Sequence, residues 1–122
     1  MTEAETAFFS GKPEAFSIYS RLVSRLRTIE PELLISVRKT QISFFSRYMF
    51  ACVSFLRVRR GVKDFLTLTV GLPYKSGSPR IDQAVEVRPG RWTHHIMLTS
   101  AAELDDEIFA FLAEAADFSS VK

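Results

Sequence analysis

A chain of 122 residues, 47% hydrophobic and 25% charged, is long enough to bury a core without staples and too apolar to be disordered. The single cysteine, Cys52, excludes an internal disulfide and suits a reducing compartment. No apolar run approaches the roughly 20 residues that span a bilayer, and the acidic start MTEAETAFF lacks the basic head and apolar stretch of a secretion signal. The expectation is one cytoplasmic domain over residues 1–122, with 1–10 a flexible lead-in. The net charge of +2 is unevenly spread: −1 over residues 1–37, +8 over 38–91 and −5 over 92–122. Either the acidic end offsets the basic middle, or the middle is left for an anionic partner.

The first strong element is GKPEAFSIYSRLVSRLRTIEP. Pro13 suits a first helical position, where a missing N–H costs nothing. Ala15, Tyr19, Leu22, Leu26 and Ile29 recur at helical spacing, Phe16 and Val23 widen the stripe, and Pro31 stops it. From Leu33 the pattern turns to strands: LLISVRK, QISFFS, YMFACVSFLRV and DFLTLTVGL are short, rich in β-branched and aromatic residues, and separated by brief polar breaks. Such connections favour antiparallel neighbours, because a parallel pair needs a long crossover. PYKSGSPRIDQAVEVRPG predicts a long loop with a helical turn from Ser78-Pro79 to about Val85. WTHHIML predicts the last strand. SAAELDDEIFAFLAEAADF predicts a closing helix, with Ser100 and Glu103 as a capping box and Leu104, Ile108, Phe111, Leu112 and Ala115 as its buried stripe.

These elements predict an α+β fold: a two-layer sandwich of a mostly antiparallel four- to five-stranded sheet with N-terminal and C-terminal helices. In the central strand both alternate sets are apolar, Met49, Ala51, Val53 and Phe55 against Phe50, Cys52, Leu56 and Val58. A half-exposed strand alternates apolar with polar. The second sheet face is therefore expected to be covered, by the 71–91 loop or by the twin subunit of a homodimer.

His94 and His95 are the only histidines. On a strand they point to opposite faces and cannot converge on one metal ion. His94 shares a face with Trp92, Ile96 and Leu98 and reads as a buried, hydrogen-bonded ring. His95 lies beside Thr93 and Thr99 and reads as the one available to a ligand. No metal-ligand spacing, nucleophile context or cofactor motif is present, so no metal, cofactor or catalytic residue is assigned. Cys52 sits within an apolar strand, where a thiol is usually packing.

KTQISF (39–44), GLP (71–73), SPRI (78–81), RWTHH (91–95) and ELDDE (103–107) resemble the bacterial family known as domain of unknown function 5655. Its members stand alone or close larger chains described as predicted transport proteins. The resemblance runs from about Phe8 to Phe118. It implies no activity, but Lys39, Thr40, Gln41, Arg91, Trp92, His94 and His95 fall within its motifs.

The functional expectation is a non-catalytic binding or interaction module with a basic, anion-accepting groove lined by Lys39, Thr40, Gln41, Arg80, Arg91 and His95. Arginine suits that role because its fork donates two parallel hydrogen bonds. The partner is an anionic ligand or a protein, not a membrane. The alternatives are nucleic-acid binding through the basic turn RVRRGVK, Arg57 to Lys63, and a hydrolase-type enzyme with His95 as general base.

Overall fold

The computed structural model describes residues 1–121. Its elements run α1 (Glu3–Phe8), α2 (Pro13–Ile29), β1 (Leu34–Val37), β2 (Gln41–Phe45), β3 (Met49–Ser54), β4 (Leu66–Leu72), β5 (Gln83–Arg88), β6 (Arg91–Leu98), a 3-10 turn (Ala101–Glu103) and α3 (Asp106–Ser120). The fold is α+β, as expected, but the sheet has six strands, in the order β1-β2-β3-β4-β6-β5, and all its pairs are antiparallel. The extra strand is β5, placed by sequence in an irregular loop with a helical turn. It is an edge strand with little burial, and the Pro89-Gly90 turn, with Gly90 at φ 74°, hairpins it onto β6.

The helices cover one face. Ile42, Phe44, Val53, Leu66, Leu68, Val70, Leu72, Ile96 and Leu98 project from that face into the core. They meet Ile18, Tyr19, Leu22 and Leu26 of α2 and Ile108, Leu112 and Ala115 of α3. Pro13 opens α2, but Lys12 supplies no side-chain cap. Asp64, fifty positions on, accepts from the Glu14 and Ala15 amides at 2.8 and 2.9 Å, doing from another part of the chain what a local cap does. Ser100 and Glu103 form their capping box around the 3-10 turn, and α3 starts afresh with Asp105 accepting from the Ile108 amide.

Residues expected to be a flexible lead-in carry α1, opened by a Thr2–Glu5 capping box. The buried Glu5 carboxylate also accepts from the Tyr19 hydroxyl, tying α1 to α2. Phe8, Phe9, Phe16, Tyr19 and Phe55 pack ring on ring around this junction, which is where several of the eleven phenylalanines are used.

The doubly apolar central strand has a local cause. Phe44 pairs with Ala51 and Phe45 with Met49, so Phe50 is the extra residue of a β-bulge. It turns inward and is 4% exposed within the helix-side core. Leu56 and Val58 lie beyond the end of β3. Among the described residues no helix is long and apolar enough to cross a membrane.

Candidate functional site

The sheet face away from the helices is the place to look. Its cross-strand register sets one row of residues side by side: Ser36, Ser43, Cys52, Thr69, His95 and Gln83, one from each strand. Cys52, Thr69 and His95 of this row border a trough, where the next row on the other face, Ile42, Val53, Leu68 and Ile96, is part of the core. The Thr69 hydroxyl lies 2.8 Å from His95 Nδ1 and orients the imidazole. Burial, and secondarily the neighbouring His94, hold the His95 pKa below its ordinary value. Burial pushes the Cys52 thiol up, opposed by the Thr69 hydroxyl, so Cys52 is a neutral floor residue.

Two concavities adjoin along this row. One is lined by Lys39, Thr40, Gln41, Ser54, Leu56 and His95 among others, together with Cys52 and Thr69. The second is again bounded by Cys52 and Thr69, and then by Gly71, Arg88, Arg91 and Thr93 near the far ends of the strands. Among the described residues no carboxylate lines either one.

Five of the six residues expected to form the site therefore border one trough: Lys39, Thr40, Gln41 and His95 around its first part, Arg91 around its second. Arg80 does not. Its guanidinium donates to Asp105 at 2.7 Å and to the Glu103 carbonyl at 2.8 Å, on the helix side. The reason is the path of the 71–91 segment. Expected to cover the second face, it packs along α3: the Tyr74 hydroxyl donates to Glu114, the Ser76 amide to His94 Nε2 at 2.9 Å, and the Ser78 hydroxyl to Glu107.

The open face is partly covered by a different loop, residues 55–65. The Thr67 hydroxyl donates to the Leu56 carbonyl, and Arg59 donates to the Met97 carbonyl and pairs with Asp82, both at 3.0 Å. Asp82 in turn accepts from the Met97 amide. So the basic turn is partly committed: Arg59 is an anchor and Arg57 lies over the Phe65 ring, leaving Arg60 and Lys63 exposed.

His94 is fully buried, as its place on the strand predicts. Its Nε2 accepts from Ser76, which puts the proton of the neutral ring on Nδ1, and Nδ1 makes no hydrogen bond among the described residues. Burial lowers its pKa, and the backbone of Trp92 and Val70 beside the ring only partly offsets this.

The charge layout follows from the same contacts. Of the eleven Lys and Arg between 38 and 91, only Arg59 and Arg80 pair with a carboxylate among the described residues. The three acids of that stretch include Asp64 and Asp82, both tied to backbone amides. The acidic C-terminal segment stays on the helix side, capping α3 and meeting Arg25 and Arg80. By ion pairing it offsets only Arg80 of the basic middle among the described residues.

The family model for domain of unknown function 5655 matches residues 5–119, and the chain belongs to that family. No curated protein matches the chain, and no solved structure does.

Proposed function

We propose that the protein is a binding module and that the trough on the open sheet face is its site for an anionic ligand. The observation carrying this reading is the pair of adjoining concavities bordered by Lys39, Arg88, Arg91 and His95, with no carboxylate of the described residues in either lining. A guanidinium or ammonium with no acidic neighbour keeps its hydrogen-bonding capacity for an incoming anion. Thr69 occupies His95 Nδ1 and leaves Nε2 to the ligand. Arg80 borders neither concavity and is engaged on the helix side with Asp105 and the Glu103 carbonyl.

The test is a thermal-shift panel of phosphate, sulfate, mono- and dinucleotides and short oligonucleotides on the wild type and on Lys39→Ala, Arg91→Ala and His95→Ala. A ligand at about 100 times its dissociation constant adds about 2.7 kcal/mol to stability, a rise of several degrees for a domain of this size. A rise that the variants lose locates the site. A rise with oligonucleotides alone, falling steeply with salt, would give the site to nucleic acid and bring in Arg60 and Lys63. No rise with any anion, including the carboxylates described below, would end the reading. A general-base role for His95 has less support, because the imidazole is oriented by a hydroxyl and not by a carboxylate.

A further inference from the structure

The second concavity differs in kind from the first. Its volume is about 200 Å³ and its lining is mainly apolar, with Phe50, Val70, Trp92 and Phe118 among the contributors and Arg88 and Arg91 the only charged ones among the described residues. It opens where the pairing of β3 with β4 stops. Ala51–Val70 is the last pair on that side, and beyond it β4 continues through Gly71 and Leu72 paired to β6 alone. Ala115, Phe118 and Ser119 of α3 line it from the helix side, while Cys52, Thr69 and Thr93 line it from the open face.

Gly71 is the telling residue. A glycine inside a strand weakens it, and its usual reasons are a backbone conformation that other residues avoid or a close approach by some other group. The first does not apply, since the positive-φ glycines are Gly11, Gly61 and Gly90. Close approach within the chain does not apply either, because a Cβ built on Gly71 meets nothing within 4 Å. The vacant volume beside it is part of the cavity. A dry apolar cavity of about 150 Å³ takes a benzene ring, so this one has room for a single ring or a short alkyl chain.

Resting on the anion-binding reading above, we propose that this cavity takes the apolar body of a small monocarboxylic acid, aromatic or short-chain aliphatic, with its carboxylate on Arg91 and Arg88. The charge complementarity is direct. Neither arginine has a carboxylate partner among the described residues, and Arg91 is held over the Phe118 ring, 5.3 Å from its centroid. That contact positions the guanidinium at the cavity rim and leaves its in-plane donors free for a carboxylate. Gly71 supplies the space, and the apolar lining selects the body.

Titration calorimetry and thermal shift with phenylacetate and octanoate test this, against benzyl alcohol and octanol (body without charge) and acetate and phosphate (charge without body). The expected result is a rise of several degrees with phenylacetate or octanoate and at least tenfold weaker binding of both alcohols and acetate. Gly71→Val, which fills the vacant space, and Arg91→Gln each weaken binding of the acid at least tenfold, while Gly71→Ala serves as the folding control. Gly71→Val leaves phosphate binding beside Lys39 and His95 in the first concavity intact. If phosphate or a nucleotide shifts the protein and neither acid does, the groove reading stands and this inference is wrong. If the alcohols bind as well as the acids, or Gly71→Val binds the acid unchanged, it is also wrong. If no anion of any kind binds, both readings fall together.

Discussion

Lowering the pH should loosen the protein in a window set by its histidines, and His94→Gln should remove much of the effect. His94 is buried, accepts from the Ser76 amide through Nε2, and has its pKa lowered by burial. Protonating Nε2 would set a second donor against the Ser76 N–H and place a charge inside the core. A histidine whose folded pKa lies below its unfolded value of about 6.5 binds more protons when unfolded as the pH falls. The stability it contributes is complete above about pH 6.5 and is lost as the pH drops toward the folded pKa. One proton can steepen the curve by at most about 1.4 kcal/mol per pH unit. Glu5, Glu103 and Asp105, whose pKa values are lowered from their ordinary carboxylate values, release their contribution only at more acid pH. The window from 6.5 down to about 5 therefore belongs to His94 and, less strongly, to the partly exposed His95. A glutamine amide oxygen can replace Nε2 as acceptor for Ser76 without titrating. Urea unfolding of wild type and His94→Gln at half-unit steps from pH 7.5 to 5.0 should show a steeper loss in the wild type, by up to that one-proton slope. Parallel curves would refute the reasoning, because they would mean that the buried ring does not control the acid response.

Three further variants separate the layers of the structure. Arg80→Ala should cost about 1 kcal/mol by denaturant unfolding, since it loses a surface ion pair and a bond to a helix-end carbonyl, yet leave anion binding unaltered, the reverse of Lys39→Ala. Asp64→Ala should cost about 1–2 kcal/mol, because two α2 amides lose their acceptor, and Asp64→Asn should recover part of it. Gly71→Ala should raise the stability of the unliganded protein by about 0.4–1 kcal/mol, its new methyl entering open space; a loss would show that the space is not free.

The long amphipathic helices and the inner strands were legible because burial imposes a period on them. Ala15, Tyr19, Leu22 and Leu26 of α2, and Ile108, Leu112 and Ala115 of α3, are all buried, as their spacing predicts. β5 was not legible, because an edge strand buries little: Gln83 to Arg88 are almost all exposed, so no alternation is enforced, and the Pro and Gly around them read as loop. α1 did carry a signal, the Thr2–Glu5 capping box, hidden by its shortness and its place at the start of the chain. The bulge at Phe50 was invisible in another way, since it mimics a strand apolar on both sides, and the inference of a covered second face followed from that. Of the groove, the opposite fates of His94 and His95 were readable from strand alternation alone. Arg80 was misplaced because composition says nothing about which side of a sheet a loop will take.

The charge asymmetry gains its meaning only from the fold. An acidic end and a basic middle would cancel if they packed together, and a two-layer fold makes that the simple expectation. Here the acids are used one by one as caps and helix-side partners: Asp64 on α2, Glu103 and Asp105 at the entry to α3, Asp106 with Arg25, Glu114 with Tyr74. Each has a local structural cause, and together they draw negative charge to the helix layer. The cations of the sheet layer keep no such commitments, apart from Arg59 and Arg80. On the open face Lys39, Arg88, Arg91 and His95 border concavities floored by Cys52 and Thr69, with no carboxylate of the described residues in their lining. Space and charge coincide there, and that coincidence, more than any single residue, is what an anionic ligand would recognise.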